Sequence, residues 1–232
     1  MKIEKVFEIM KNFDYVVGID EVGRGCLAGP MFVCAVVMSP YIFIEGVKDS
    51  KLLSKKKREG LLPSIVKNVK HIGIGIVSNK EIDSFGMSVA IRLGIIRALS
   101  KLRYLPKLII TDYVNIKSKN FEIFLKNSNL KDKHKYIDIY SKIRKYDDDL
   151  ILDDDGYFYI SVKKADLYVH PNSVASVVAK VLRDRYMSHI SKKYPMYGFD
   201  RNKGYATREH ISAIKSFGFS EVHRLSFRLG SL

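Results

Sequence analysis

Between residues 71 and 112 the spacing of apolar residues changes twice, and that change restricts the fold more than any other feature of the chain. Residues 71–78, His-Ile-Gly-Ile-Gly-Ile-Val-Ser, alternate as a strand does. Met87, Ala90, Ile91, Gly94, Ile95, Ala98, Leu99 and Leu102 then recur at steps of three and one. That is one apolar face of a long helix, which Pro106 should stop. Leu108, Ile109 and Ile110 are short and apolar, and predict a buried strand that delivers Thr111 and Asp112. Strand, helix and strand at this spacing form a crossover between parallel strands. Ligands of such sheets gather beyond the carboxyl ends of the strands, where Asp112 lies.

The first strand ends in the same way. Residues 15–20 are apolar up to Ile19 and run into two adjacent acids, Asp20 and Glu21. A glycine-rich turn with one arginine follows, Gly23-Arg24-Gly25, and a second strand over residues 31–38 is fed by Gly29-Pro30. Successive side chains of a strand point to opposite faces, so Asp20 and Glu21 reach one site only where the strand ends or bulges. Carboxylates can hold a hard divalent cation, and glycines let backbone amides approach a ligand.

The rest is coarser. Residues 157–162 predict a further strand. From Ser173, the positions Val174, Val177, Val178, Val181 and Leu182 make an apolar helical stripe, while Ser173, Ser176, Lys180 and Asp184 share the other face. By themselves those four residues fit either a solvated face with a lysine–aspartate pair or the lining of a site. Residues 115–156 contain lysines and asparagines and then two aspartate runs, 147–149 and 153–155. The runs lack the alternating ligand spacing and closing glutamate of an EF-hand loop, so a solvated surface insertion is expected there. No internal repeat and no Pro/Ser-rich linker divides the 232 residues, which fit one α/β domain.

Composition narrows the partners. Lys and Arg number 40 against 25 Asp and Glu, a formal net charge of +15. Bases concentrate in residues 51–58 and from Lys180 onward, whereas residues 1–50 hold more acids than bases. Charge placed in this way around a carboxylate site suggests a groove for a phosphate backbone. The longest apolar run, residues 31–38, is too short to span a bilayer, and the N-terminus lacks a leader pattern, so a cytoplasmic protein is expected. Cys26 and Cys34 make no disulfide framework and have no zinc-ligand neighbours, and are read as reduced thiols.

Four blocks together resemble ribonuclease HII, the type 2 ribonuclease H family. They are Asp20-Glu21-Val22-Gly23-Arg24-Gly25 with Leu27-Ala28-Gly29-Pro30, then Asp49-Ser50-Lys51-Leu52-Leu53-Ser54, then Ala179-Lys180-Val181-Leu182-Arg183-Asp184. The fourth runs from Tyr194 through Lys203-Gly204-Tyr205-Ala206-Thr207 and His210 to His223-Arg224-Leu225-Ser226-Phe227. The resemblance implies a ribonuclease-H-like mixed β-sheet flanked by helices, with a helical C-terminal region. It implies an endonuclease with Asp20, Glu21, Asp112 and Asp184 as catalytic and metal-binding carboxylates, and Mg2+ or Mn2+ as a two-metal cofactor. Its expected partners are RNA–DNA hybrid and ribonucleotide-containing duplex DNA, with no membrane, no evident protein partner and a monomeric state. No sliding-clamp-binding motif is visible in residues 229–232.

By the same resemblance, Gly23, Arg24 and Gly25 would meet the 2′-hydroxyl, Tyr205 would stack on the following deoxyribose, and Ser50, Lys51 and Lys203 would contact phosphates. His210 and His223 are expected to be structural. The chain departs from the family where Cys26 replaces a usual proline, Tyr113 and Ala165 replace glycines, and Asn202 replaces a common histidine. Rival readings are a ribonuclease HIII-like hybrid nuclease, a basic non-catalytic nucleic-acid-binding protein, and a DNA-only nuclease on the same fold.

Overall fold

The computed structural model describes residues 2–48, 50–146 and 156–227. Asp49, the aspartate runs at 147–149 and 153–155, and residues 229–232 therefore lie outside the described residues. Along the chain come α1 (Ile3–Met10), β1 (Val16–Val22), β2 (Met31–Met38), a 3-10 turn at Ser50–Leu52, α2 (Lys55–Asn68), β3 (His71–Val77), α3 (Asn79–Leu99) and β4 (Leu108–Asp112). They are followed by α4 (Lys119–Asn127), α5 (Lys133–Lys142), β5 (Ile143–Lys145), β6 (Tyr157–Val162), α6 (Ala165–Tyr168), α7 (His170–Lys193), α8 (Phe199–Asn202) and α9 (Arg208–Phe217).

Among the described residues the strands form one six-stranded sheet in the order β3-β2-β1-β4-β6-β5. β2 runs antiparallel to both β1 and β3, while β1, β4, β6 and β5 run parallel. β3 is thus parallel to β4 without touching it, and α3 carries the crossover past two strands. This is the mixed α/β sheet the sequence predicts.

The strand period sorts the core. On β2, Val33, Ala35 and Val37 face α3, and Cys34, Val36 and Met38 face α7. All eight residues of β2 are buried because helices cover both faces. α3 begins eight residues before the apolar stripe. Ser78 caps it with a reciprocal Glu81 box, and Gly86, at φ 74°, breaks the helix between the capped turns and the periodic part. It ends at Leu99 rather than running to Pro106, and Leu102 packs on the core beyond the helix.

The segment expected to be a solvated insertion is built differently over its described part. Phe121 and Leu125 on α4, Tyr136 and Tyr140 on α5, and Ile143 on β5 are buried in the same cluster as Ile91 and Ile95 of α3. Tyr140 also ties the two helices together, its hydroxyl donating to the Ser118 carbonyl at 3.0 Å and accepting from the Ser118 amide at 2.9 Å. The apolar signal was hidden because each helix is short and contributes one i,i+4 pair, set among lysines. Phe121→Ala should therefore cost about 3–5 kcal/mol in chemical denaturation, the range for emptying a buried aromatic site. A loss below about 0.5 kcal/mol, the surface value, would restore the solvated-insertion reading.

Candidate active site

Three parallel strands end at one edge of the sheet and bring their acids together. The β1–β4 ladder closes with Ile19 opposite Thr111, so Asp20 and Glu21 emerge beside Asp112 while β1 stays paired to β2. The β4–β6 ladder closes with Asp112 opposite Val162. Two residues later Lys164 turns through a left-handed conformation, φ 61°, into α6, which carries Asp166. The amide of Ala165 donates to the Asp112 carboxylate at 3.1 Å and fixes α6 against the end of β4.

α7 lies across these ends. A Cβ on Gly18 would sit 2.3 Å from the carbonyl carbon of Pro171, so only glycine lets the helix approach. Asn172 is fully buried, and its amide nitrogen donates to the carbonyls of Ile19 and Ile110 at 2.8 and 3.0 Å. One side chain thus pins two neighbouring strands where their ladder stops. A turn further on, the Ser176 hydroxyl faces Asp20 and favours its charged form. Ser50, 2.8 Å from Ser176, extends that chain from the turn that also carries Lys51.

Like charges held out of water perturb one another. Burial, and then Glu21, raise Asp20 well above the ordinary carboxylate range. Burial pushes Glu21 up to about 7, against the pull of Arg24 at 3.8 Å. Asp112 is raised by burial and by Asp166. Lys51 pairs with Asp166 at 3.1 Å. Among the described residues no three acidic, histidine or cysteine side chains close around one point at ligand spacing. The donor set is all carboxylate, which suits a hard divalent cation, but ligation requires these side chains to turn inward.

The grouped acids are Asp20, Glu21, Asp112 and Asp166. Asp184, which the sequence reading placed in the set, sits elsewhere. It lies eight residues beyond Ser176, about 12 Å along α7 at the usual helical rise. There it is buried between Arg58 at 3.5 Å and Lys180 at 2.8 Å. Its place in the set came from the Ala179–Asp184 resemblance, and the helix face it shares with Ser176 says nothing about distance along the axis. Asp166 carried the same signal as Asp112, an acid just past a buried strand, and could have been found by that rule.

The Gly23–Gly25 turn rests on two buried arginines. Gly23, at φ 91°, packs directly on the Arg183 guanidinium. Arg183 donates to the carbonyls of Ala28, Pro30 and Lys203 at 3.1, 2.9 and 2.8 Å. Arg224 donates to those of Gly23, Arg24 and Gly29 at 2.6–3.0 Å. The two arginines join the turn to the segment that carries Lys203 and Tyr205. Tyr205 is 38% exposed, and its ring lies 5.6 Å from Lys180 Nζ and 5.8 Å from the Arg183 guanidinium. Its hydroxyl faces Cys26, and burial raises it to about 12. Lys203 adopts a left-handed conformation, φ 54°, and donates to the Ser188 hydroxyl. Neighbouring Asn202 braces that turn through the Tyr197 carbonyl and the Gly204 amide. Tyr113, in the usual glycine position, takes φ 49° and projects into solvent, a strained backbone for a non-glycine residue.

His210 and His223 form a relay that the sequence named only as structural. The Ser220 amide donates to His223 Nδ1, the two Nε2 atoms lie 3.1 Å apart, and His210 Nδ1 lies 2.8 Å from the Tyr205 carbonyl. Since His223 Nδ1 accepts, His223 Nε2 carries the proton towards His210, and His210 Nδ1 donates to Tyr205. An apolar cleft of about 500 Å³, lined by Phe85, Ile123, Phe124 and Leu130, lies on the α3–α4 side and shares no residue with this acid edge.

Sequence and fold comparisons agree with the geometry. The profile of the family described as Ribonuclease HII matches residues 17–229. The chain belongs to the ribonuclease HII family. It is a ribonuclease H, an endonuclease whose family acts on RNA–DNA hybrids. A ribonuclease HII of Acetivibrio thermocellus is 36% identical over 94% of this chain and 71% of its own length. One from Orientia tsutsugamushi is 37% identical over 93% and 86%. The crystal structure of ribonuclease H2 from Pyrococcus horikoshii superposes with a TM-score of 0.66, at 27% identity, covering 92% of this chain and 93% of that one. A ribonuclease HIII solved in complex with Mn2+ shares the fold at 19% identity and TM-score 0.54, over 92% of this chain and 67% of its own. No described helix is long and apolar enough to cross a membrane.

The histidine relay makes stability depend on pH. Burial and His210 lower His223 to about 4, against an ordinary 6.5. The unfolded chain then binds more protons between those values, so this contribution is complete above 6.5 and is lost as pH falls towards 4. Relative to His223→Gln, the wild-type chain should lose roughly 2–3 kcal/mol between pH 7 and 4.5. Urea denaturation of both proteins at both pH values measures the difference, and an unchanged gap would mean the pair does not titrate as a buried neutral unit.

Proposed function

We propose that this enzyme hydrolyses the phosphodiester on the 5′ side of ribonucleotides, in RNA–DNA hybrids and at single ribonucleotides embedded in duplex DNA. It leaves a 3′-hydroxyl and a 5′-phosphate, and so supports ribonucleotide removal from DNA. The observation that carries this reading is the sheet edge where Asp20, Glu21, Asp112 and Asp166 meet beside the Gly23–Gly25 turn.

Mg2+ or Mn2+ ions would be held by Asp20, Glu21, Asp112 and Asp166, where a bound metal pair supplies an activated water and neutralises charge on the attacking and leaving oxygens. The protein's part is preorganisation. Ser176 orients Asp20, Ala165 orients Asp112, and Lys51 restrains Asp166. The Gly23–Gly25 backbone, braced by Arg183 and Arg224, is suited to meet the 2′-hydroxyl, the group that separates RNA from DNA. Tyr205 would stack on the next deoxyribose, where a second 2′-hydroxyl would obstruct it. Ser50, Lys51 and Lys203 would position phosphates without reading sequence. The +15 charge favours a polyanion and makes binding strongly salt-dependent.

Asp166→Asn should lose nearly all turnover on a labelled duplex with one ribonucleotide, as Asp20→Asn should, because an amide is a poor ligand for a hard cation. Near-wild-type cleavage by Asp166→Asn would remove it from the metal set. Wild-type protein that cuts long hybrids but spares the single-ribonucleotide duplex would overturn the roles given to Tyr205 and the turn. Metal affinity should also follow Glu21. Below its value of about 7 a proton must leave before metal binds, and the raised Asp20 adds to this, so Mn2+ affinity should climb by about tenfold per pH unit or more below 7. Calorimetry in buffers of different ionisation enthalpy reads that proton release, and a flat profile from pH 5.5 to 7 would refute it.

A further inference from the structure

Asp184 is a buried acid that the proposed metal set does not use. We infer that Asp184 is a positioning residue: through Arg58 it holds the turn carrying Ser50 and Lys51 against the acid edge. The inference rests on the metal site proposed above and deepens it.

The connections run in one direction. Asp184 meets Arg58 at 3.5 Å, and the two side chains are only 8% and 11% exposed. Arg58, on the first turns of α2, uses its other terminal nitrogen on the backbone, donating to the carbonyls of Ser50 and Leu53 at 2.8 and 2.5 Å. The Ser50 hydroxyl then reaches Ser176, which faces Asp20, and Lys51 reaches Asp166. A single guanidinium therefore links a carboxylate remote from the acid edge to both ends of that edge. The planar fork suits the task, since one terminal nitrogen faces the carboxylate while the other donates to two carbonyls. Lys180, held by the same carboxylate at 2.8 Å, lies 5.6 Å from the Tyr205 ring, so Asp184 also restrains that side.

A metal ligand and a positioning residue differ in what they change. Asp184→Asn leaves Arg58 buried without its counter-ion, a charge that prefers to leave for water. The Ser50–Leu53 turn should then loosen, while the acids that would take metal keep their positions in the fold. Hydrogen–deuterium exchange of residues 50–53 measures this without turnover, since the Leu53 amide is bonded to Ser50 within the turn. The expected result is exchange at least about tenfold faster in Asp184→Asn and in Arg58→Lys. Mn2+ affinity measured by calorimetry should remain within about twofold of wild type, whereas Asp20→Asn should lose it. Steady-state assays on a hybrid duplex should show KM raised about tenfold with a smaller change in kcat. The Asp184→Asn/Arg58→Lys double variant should be no worse than either single variant.

Loss of Mn2+ affinity in Asp184→Asn matching that of Asp20→Asn would overturn the inference and make Asp184 a ligand. Additive losses in the double variant, or unchanged exchange at residues 50–53, would also overturn it. If Asp184→Asn does not fold, Arg58→Lys decides, because it keeps the charge pair and removes only the fork. If wild-type protein fails to cut hybrids, the functional proposal falls, while exchange and metal affinity still judge the clasp.

Discussion

The closeness of α7 to β1 is the constraint on which the acid edge depends. Gly18 has no side chain, and Pro171 occupies the space one would need. That contact sets α7 at a height where Asn172 reaches two strand carbonyls, Ser176 reaches Asp20, and Arg183 reaches the turn after β1. A helix displaced by the width of one methyl group would leave those donors short of their acceptors, because hydrogen bonds weaken steeply beyond about 3.2 Å. Gly18 stands two residues before the first acid, so one backbone position governs both packing and chemistry.

That arrangement places like charges together at a cost in stability. Asp20, Glu21 and Asp112 are each raised mainly by burial, with neighbouring acids adding to it. For an acid whose folded value is raised, the penalty grows as pH rises through the unfolded value, opposite in sign to the histidine relay. Stability is recovered in the surrounding shell. Arg183 and Arg224 are buried with no carboxylate at hydrogen-bond distance among the described residues, and are satisfied by backbone carbonyls instead. Burial lowers Arg224 to about 10, so it remains charged at neutral pH and cannot leave its carbonyls without stranding them.

What the sequence disclosed follows physical scale. Strands β2, β4 and β6 were legible because their apolar runs are bounded by polar residues and buried on both faces. Asp20, Glu21 and Asp112 were legible because a carboxylate at the end of a buried parallel strand has few structural excuses. Asp166 escaped because attention past the end of β6 went to its neighbour Ala165, a departure from the family pattern, and not to the acid beside it. The burial of Phe121, Leu125, Tyr136 and Tyr140 escaped because two short helices with one apolar pair each yield no period strong enough to outweigh a lysine-rich surface. The carbonyl-binding roles of Arg183 and Arg224 could not be read at all, since their acceptors lie as many as 201 positions away in the chain and carry no side-chain signature.

Basic residues therefore do two different jobs. The exposed ones, Lys51 and Lys55–Lys57 among them, belong to the kind of surface that meets phosphates. Arg58, Arg183 and Arg224 are turned inward and are spent on carbonyls or on a single buried acid. A charge count alone assigns all of them to the nucleic acid. The distinction matters for salt dependence, because only cations that exchange a small ion for a phosphate contribute to the slope. The inward arginines act before any substrate arrives: they fix the backbone of residues 23–30, 50–53 and 203, from which the outward groups project. The proposed recognition of a 2′-hydroxyl would need that rigidity, since one oxygen atom distinguishes RNA from DNA and a turn free to move by an ångström could not sense it.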